Sequence, residues 1–190
     1  MNRRLTLAIA ATTAVGVAAG GIATTGAVAK APKPKKNEIV IRGDFQFKAG
    51  HSAFDNQRFT PLKASVRSGA TVKVRNKSKT EDPHTLSFVE KKFLPKSFDA
   101  PIAGPLFELH QLSDDPNAQP VLLIDNGAPA ADQSAPLSVD TMGNEQAPGD
   151  SLLIAPGQKT VSFKVTAAKG STLSYFCIFH PWMQGKIAVK

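Results

Sequence analysis

The sequence predicts an all-β chain folded as an antiparallel sandwich or barrel, and three observations carry that expectation. Short runs that alternate apolar and polar residues recur along the chain, with the period of a half-buried strand. Gly, Pro and Ser punctuate the gaps between them, as turns require. No helical period lasts long enough for a core helix, and no internal repeat occurs. At 190 residues one domain is expected, since domains commonly run ~100–200 residues.

Residues 1–29 read as an export signal. Arg3 and Arg4 make a basic start, Leu5 to Ala29 carries no charge, and Ala27-Val28-Ala29 supplies a small-x-small cleavage pattern. The uncharged run is long enough to span a bilayer, for which about 20 apolar residues suffice. An uncleaved membrane anchor is therefore the rival reading. The Ala, Thr and Gly content, without a dense Leu/Ile/Phe block, favours cleavage. The domain is then expected in the periplasm or outside the cell. Residues 30–37, KAPKPKKN, form a flexible basic leader.

The strands follow in order across 38–190. Glu38–Arg42 alternates, with Ile39 and Ile41 on one face. Ala64–Arg67 and Thr71–Arg75 flank Ser68-Gly69-Ala70, which reads as a hairpin turn. Thr85–Val89 is the next strand. Thr160–Val165 and Thr172–Phe176 flank a turn at Lys169-Gly170, and Lys186–Val189 closes the series.

Residues 91–150 break the pattern. They hold 8 of the 14 prolines, and Pro120–Asp125 is their best strand signal. From Ser97 to Asp150 there is no Lys or Arg, while nine acidic residues occur: Asp99, Glu108, Asp114, Asp115, Asp125, Asp132, Asp140, Glu145 and Asp150. The stretch is expected to be an insertion packed over the sandwich, because Phe107, Leu109 and Val121 to Ile124 would otherwise be wet. Its acidic surface is expected to face a basic one.

Composition excludes several functions. The chain has 23 Lys+Arg against 15 Asp+Glu, a formal charge of +8. The basic segments Lys33–Lys36 and Lys73–Lys79 lack the interleaved aromatics of a nucleic-acid groove, so nucleic acid is not the expected partner. One cysteine excludes an internal disulfide framework and any Cys-rich zinc or iron–sulfur site within the chain.

The residues that carry chemistry are His84 and the cluster Cys177, His180 and Met183. Thiolate, imidazole and thioether form a soft donor set. Two His, one Cys and a Met are the ligands of a blue-copper electron-transfer site. The C-x-x-H-x-x-M spacing lets one tight loop aim three side chains at one ion, and His84, opening a strand, supplies the distant imidazole. His51 and His110 lack such a context and are expected on the surface or in loops, with His110 near the metal if the insertion covers that end. Met142 is expected to be an ordinary loop contact.

In these segments the chain resembles a cupredoxin of the plastocyanin/amicyanin type. Tyr175-Phe-Cys-Ile-Phe-His-Pro-Trp-Met-Gln-Gly-Lys-Ile-Ala-Val189 is similar to that family's last two strands and ligand loop. The Met at +6 from Cys and the Pro after His are closest to amicyanin. Phe59-x-Pro, Val66-x-x-Gly69-x-x-Val72-x-Val74-x-Asn76 and Pro83-His84-Thr85 resemble its N-terminal half. Leu153-x-x-Pro156-Gly157 and Val161-x-Phe163 match the strand before the loop. The resemblance covers roughly 38–90 and 151–190. Thr85 stands where the family often has Asn.

The resemblance implies a Greek-key sandwich with the insertion between the first-ligand strand and the C-terminal strands. It implies one copper ion held in a plane by His84, Cys177 and His180, with Met183 axial. Outer-sphere transfer of single electrons to and from protein redox partners would follow, by a monomer with no enzymatic activity. His180 would show a solvent-facing edge beside Pro181 and Trp182. A copper-binding module for delivery or storage is the alternative, although only three Met are present. A copper enzyme would need further His ligands, and only His51 and His110 remain.

Overall fold

The computed structural model describes residues 32–98, 106, 109–110, 123–132, 135–144 and 147–190. The export segment 1–29, the start of the basic leader, Phe107 and the Pro120–Leu122 part of the expected strand lie outside them. Fourteen strands occur among the described residues: β1 (Glu38–Arg42), β2 (Phe45–Lys48), β3 (Ser52–Asp55), β4 (Arg58–Thr60), β5 (Lys63–Val66), β6 (Thr71–Asn76), β7 (His84–Val89), β8 (Leu123–Asp125), β9 (Ala128–Pro129), β10 (Leu137–Val139), β11 (Ser151–Ile154), β12 (Thr160–Val165), β13 (Thr172–Phe176) and β14 (Gln184–Val189). A 3-10 turn spans Lys91–Phe93, and Leu106 and Leu109 are helical.

The chain is an all-β sandwich. One sheet runs β10-β12-β6-β1-β4 and the other β5-β14-β13-β7-β11-β8-β9, with β2-β3 a separate hairpin. Alternation builds the core, as a period of two dictates. Ile39 and Ile41 of β1, Val72 and Val74 of β6, and Phe163 and Val165 of β12 meet Leu86 and Phe88 of β7, Leu173 and Tyr175 of β13, and Ile187 of β14, all at most 1% exposed. Phe88 stands edge-on to Phe163, with ring centroids 5.6 Å apart.

Ser68-Gly69-Ala70 is not the hairpin expected from sequence. β5 pairs in parallel with β14 in one sheet, while β6 pairs with β1 and β12 in the other. The turn carries the chain across the core. Val66 and Val72 are both buried, and crossing lets them face each other from opposite sheets. Gly69 takes φ +79° there, and its N–H donates to Val165 O at 2.7 Å. Pairings β1–β6, β10–β12 and β14–β5 are parallel within the otherwise antiparallel sandwich.

β7 is buried along all six residues. Its inner face carries His84, Leu86 and Phe88. Its outer face carries Thr85, Ser87 and Val89 and is covered by parts of the 91–150 region. Val89, Leu106, Phe176 and Ile178 form a second apolar cluster there, packed by Phe93 and Leu94. β8 and β9 extend the same sheet through β11, and β10 joins the opposite sheet. Two acidic residues of the 91–150 region, Asp140 and Asp150, bind backbone N–H and hydroxyl groups. Asp150, fully buried, accepts N–H bonds from Asn126, Asp140 and Thr141 at 3.0, 2.9 and 2.8 Å. Asp140 accepts the hydroxyls of Thr141 and Thr166. Desolvation of Asp150 outweighs these amide bonds and raises its pKa.

Gly185 faces Tyr175 across the β13–β14 pair, and a Cβ there would run into the Tyr175 ring. Gly185→Ala should therefore cost about 1–3 kcal/mol by overpacking. Urea unfolding of the metal-free protein measures this; a midpoint equal to wild type would show that the ring moves aside freely.

Candidate metal centre

β13 ends at Phe176 and β14 begins at Gln184, so residues 177–183 form the loop between paired strands. Three backbone bonds shape it. Cys177 N–H donates to Met183 O (3.0 Å), His180 N–H to Cys177 O (3.2 Å), and Met183 N–H to His180 O (2.7 Å). Each link spans three residues or closes the loop, which makes the Cys, His and Met spacing a matter of turn geometry. A fourth contact comes from β7, where Thr85 Oγ1 accepts Ile178 N–H at 3.0 Å. The backbone N–H of Thr85 points at Cys177 Sγ, 3.3 Å away.

His84, Cys177 and His180 converge. Their ligand atoms all lie within 4.8 Å of one another. Cys177 Sγ is 3.5 Å from His180 Nδ1, and the imidazole centroids are 5.1 Å apart. His84 and Cys177 are fully buried, and His180 is 8% exposed. Met183, the fourth expected donor, is 1% exposed in the same apolar cluster as Cys177. Neither ring nitrogen of His84 has a hydrogen-bond partner among the described residues. Buried polar atoms are ordinarily paired, so an imidazole aimed unpaired into a cluster with a thiol and a second imidazole fits a metal ion.

The electrostatics prepare these groups for a cation. Desolvation, with His180 adding to it, lowers the His84 pKa to about 4, against smaller raising contributions from Asp82 and Asp55. Desolvation also lowers His180. Both rings are neutral at pH 7, as ligation needs. Burial pushes the Cys177 thiol up to about 11, although N–H groups of Thr85, His180 and Phe179 pull the other way. The thiol therefore keeps its proton until a metal displaces it.

The His180 side chain keeps 10% exposure, and its outer nitrogen is largely covered. Its Nε2 lies 3.2 Å from Gln57 Nε2, with Asp55 Oδ2 at 3.8 Å and Asp82 Oδ2 at 4.0 Å. Trp182, half exposed, stands edge-on to the ring at 5.3 Å and stacks on Phe98 on its other side. Gln57 is 1% exposed, and nothing in the sequence around it singled it out. Asp55 and Gln57 flank the β3–β4 link, whose strand signals are weak.

His51 is exposed, as expected. His110 is not a surface residue. It is fully buried, and its Nε2 lies 2.7 Å from Ser151 Oγ. Ser151 bonds Ser87 at 2.7 Å, and Ser87 donates to Thr85 Oγ1 at 3.0 Å. A buried polar chain so joins His110 to the loop that carries the donors. Strand alternation put Thr85 and Ser87 on one face of β7, but His110 reaches that face through tertiary packing alone.

No family model matches the sequence, and no curated protein does. Among solved structures, a purple cupredoxin from Nitrosopumilus maritimus is similar at 13% identity and TM-score 0.39, over 80% of this chain and 98% of its own. Auracyanin A, described as a "blue" copper protein from Chloroflexus aurantiacus, is similar at 24% identity and TM-score 0.38, over 80% of this chain and 99% of its own. Plastocyanin from Dryopteris crassirhizoma gives 15% identity and TM-score 0.37, with 80% and 99% covered.

Metal binding at pH 7 should release about one proton per ion, that of Cys177, because both imidazoles are already neutral. Affinity should accordingly rise with pH up to about 11, where the thiol ionises by itself. Calorimetric titration in buffers of different ionisation enthalpy counts the protons; a count of zero would contradict a buried neutral thiol.

Proposed function

We propose that the chain is an exported type 1 copper protein that passes single electrons between protein partners. The observation that carries this reading is the buried convergence of His84, Cys177 and His180, with both His84 nitrogens unpaired. Two imidazoles and a thiolate, with the Met183 thioether completing the set, are soft donors that suit copper better than the harder cations. Copper bound there supplies a one-electron Cu(I)/Cu(II) couple.

The chain's own residues do the rest. Cys177 gives up its proton to ligate, while the loop bonds and the Thr85–Ile178 bond keep the donors in place. A site braced this way at one end of the seven-stranded sheet changes little when its charge changes, which favours fast outer-sphere transfer. Phe179, Met183 and the core around them keep water out. Trp182, edge-on to His180 and half exposed, provides a conjugated group from the site to the surface. No substrate has to reach the metal, so we assign a carrier and not an enzyme. The leader sequence 1–29 supports export. No helix among the described residues is long and apolar enough to cross a membrane.

Adding Cu(II) to the protein should produce an intense visible absorption at one copper per chain. Cys177→Ser should abolish it, and Met183→Leu should keep the colour and change the reduction potential. A colourless complex would refute the reading. Slow electron self-exchange in a coloured protein would favour copper delivery or storage.

A further inference from the structure

Gln57 has a fixed side chain. Its Oε1 accepts the Thr80 hydroxyl at 3.0 Å. Its Nε2 donates to Asp55 Oδ2 and to Asp82 Oδ2, both at 3.0 Å. The backbone N–H of Gln57 also donates to Asp55 Oδ1 at 2.7 Å, so the Asp55 carboxylate is held at both oxygens. The close approach that seats Gln57 depends on Gly43, at φ +125°, where a Cβ would come within 2.5 Å of Gln57 Cα.

An amide nitrogen has two hydrogens, and both are committed to carboxylates here. The same nitrogen lies 3.2 Å from His180 Nε2 and has no third hydrogen to offer it. His180 Nδ1 is the atom that faces Cys177 Sγ. When Nδ1 ligates, the ring's remaining proton sits on Nε2 and needs an acceptor. The acceptors beside it are the two carboxylates clamped by Gln57, at 3.8 and 4.0 Å. A movement of about 1 Å brings Asp55 to hydrogen-bonding distance.

We propose that Gln57, Asp55 and Asp82 form a cap that accepts the Nε2–H of metal-bound His180 and thereby favours the oxidised over the reduced metal. The inference rests on the metal site proposed above. Gln57 is a positioning residue, since it holds together two carboxylates that would otherwise repel. Asp55 is the principal acceptor, nearer to the ring and with a side chain 17% exposed against 45% for Asp82. An acceptor on the outer nitrogen makes the imidazole a stronger donor, and nearby negative charge favours the more positive state of the metal.

The test uses the copper-loaded full chain at pH 7. Potentials are compared for wild type, Asp55→Asn, Gln57→Met and Glu81→Gln. Glu81 is exposed, and its change removes the same charge without touching His180. Asp55→Asn and Gln57→Met should raise the potential by clearly more than Glu81→Gln does. In Zn(II)-loaded protein, the His180 Nε2–H resonance should exchange with solvent at least about tenfold faster in Asp55→Asn than in wild type. If Gln57→Met does not fold, the Asp55 pair of measurements decides alone. Blue protein whose Asp55→Asn potential and exchange rate match the Glu81→Gln control would overturn the cap and leave the metal site standing. Wild type that binds no metal would overturn both.

Discussion

Burial of unpaired donor atoms is the interaction around which this molecule is arranged. His84 is closed off from water with neither nitrogen bonded among the described residues, and the Cys177 thiol is held equally dry. Each unsatisfied buried group costs about 1–3 kcal/mol, against a typical net domain stability of ~5–15 kcal/mol. The donors cannot escape by turning outward. Cys177 N–H is tied to Met183 O, and Ile178 N–H is tied to Thr85 on a central strand. The apolar faces of both sheets hold that unfavourable arrangement in place, and a cation held by the three groups would offset it.

The region between β7 and β11 contributes to this more than an appended loop would. Leu106 and His110 cover the outer face of β7, so the Thr85–Ser87–Ser151 row is removed from water on the side away from the core. A central strand covered on both faces has fewer ways to open. Asp150 works in a similar sense, gathering the N–H groups of Asn126 and of the adjacent Asp140 and Thr141 around one carboxylate. The segment's acidity, which in sequence suggested pairing with lysines, is spent in part on fastening its own backbone.

The strands with strong alternation were legible in the sequence. Glu38–Arg42, Thr160–Val165 and Thr172–Phe176 match residue for residue, because every second residue (Ile39 and Ile41, Phe163 and Val165, Leu173 and Tyr175) is apolar and fills the shared core. The spacing of Cys177, His180 and Met183 was legible as well, since one loop imposes it. Three things were not. The chain crosses between sheets at Gly69, and a turn of Ser, Gly and Ala looks the same whether its strands pair or part. The β2–β3 hairpin leaves Phe45, Phe47 and Phe54 exposed, so its aromatics do not follow the usual inside pattern. The surroundings of His180 draw on Asp55, Gln57 and Asp82, which are brought together only by the fold and share no periodicity.

The Thr85–Ile178 bond joins residues 93 positions apart. More than half of the domain lies between the first imidazole and the thiol, and closing such a separation is slow compared with local pairing. During synthesis β7 emerges early, but the loop that completes the donor set follows every other strand except β14. A nascent chain therefore has no complete chelating pocket. A full donor set would be available to a metal only once that loop is made and the sandwich has closed around it.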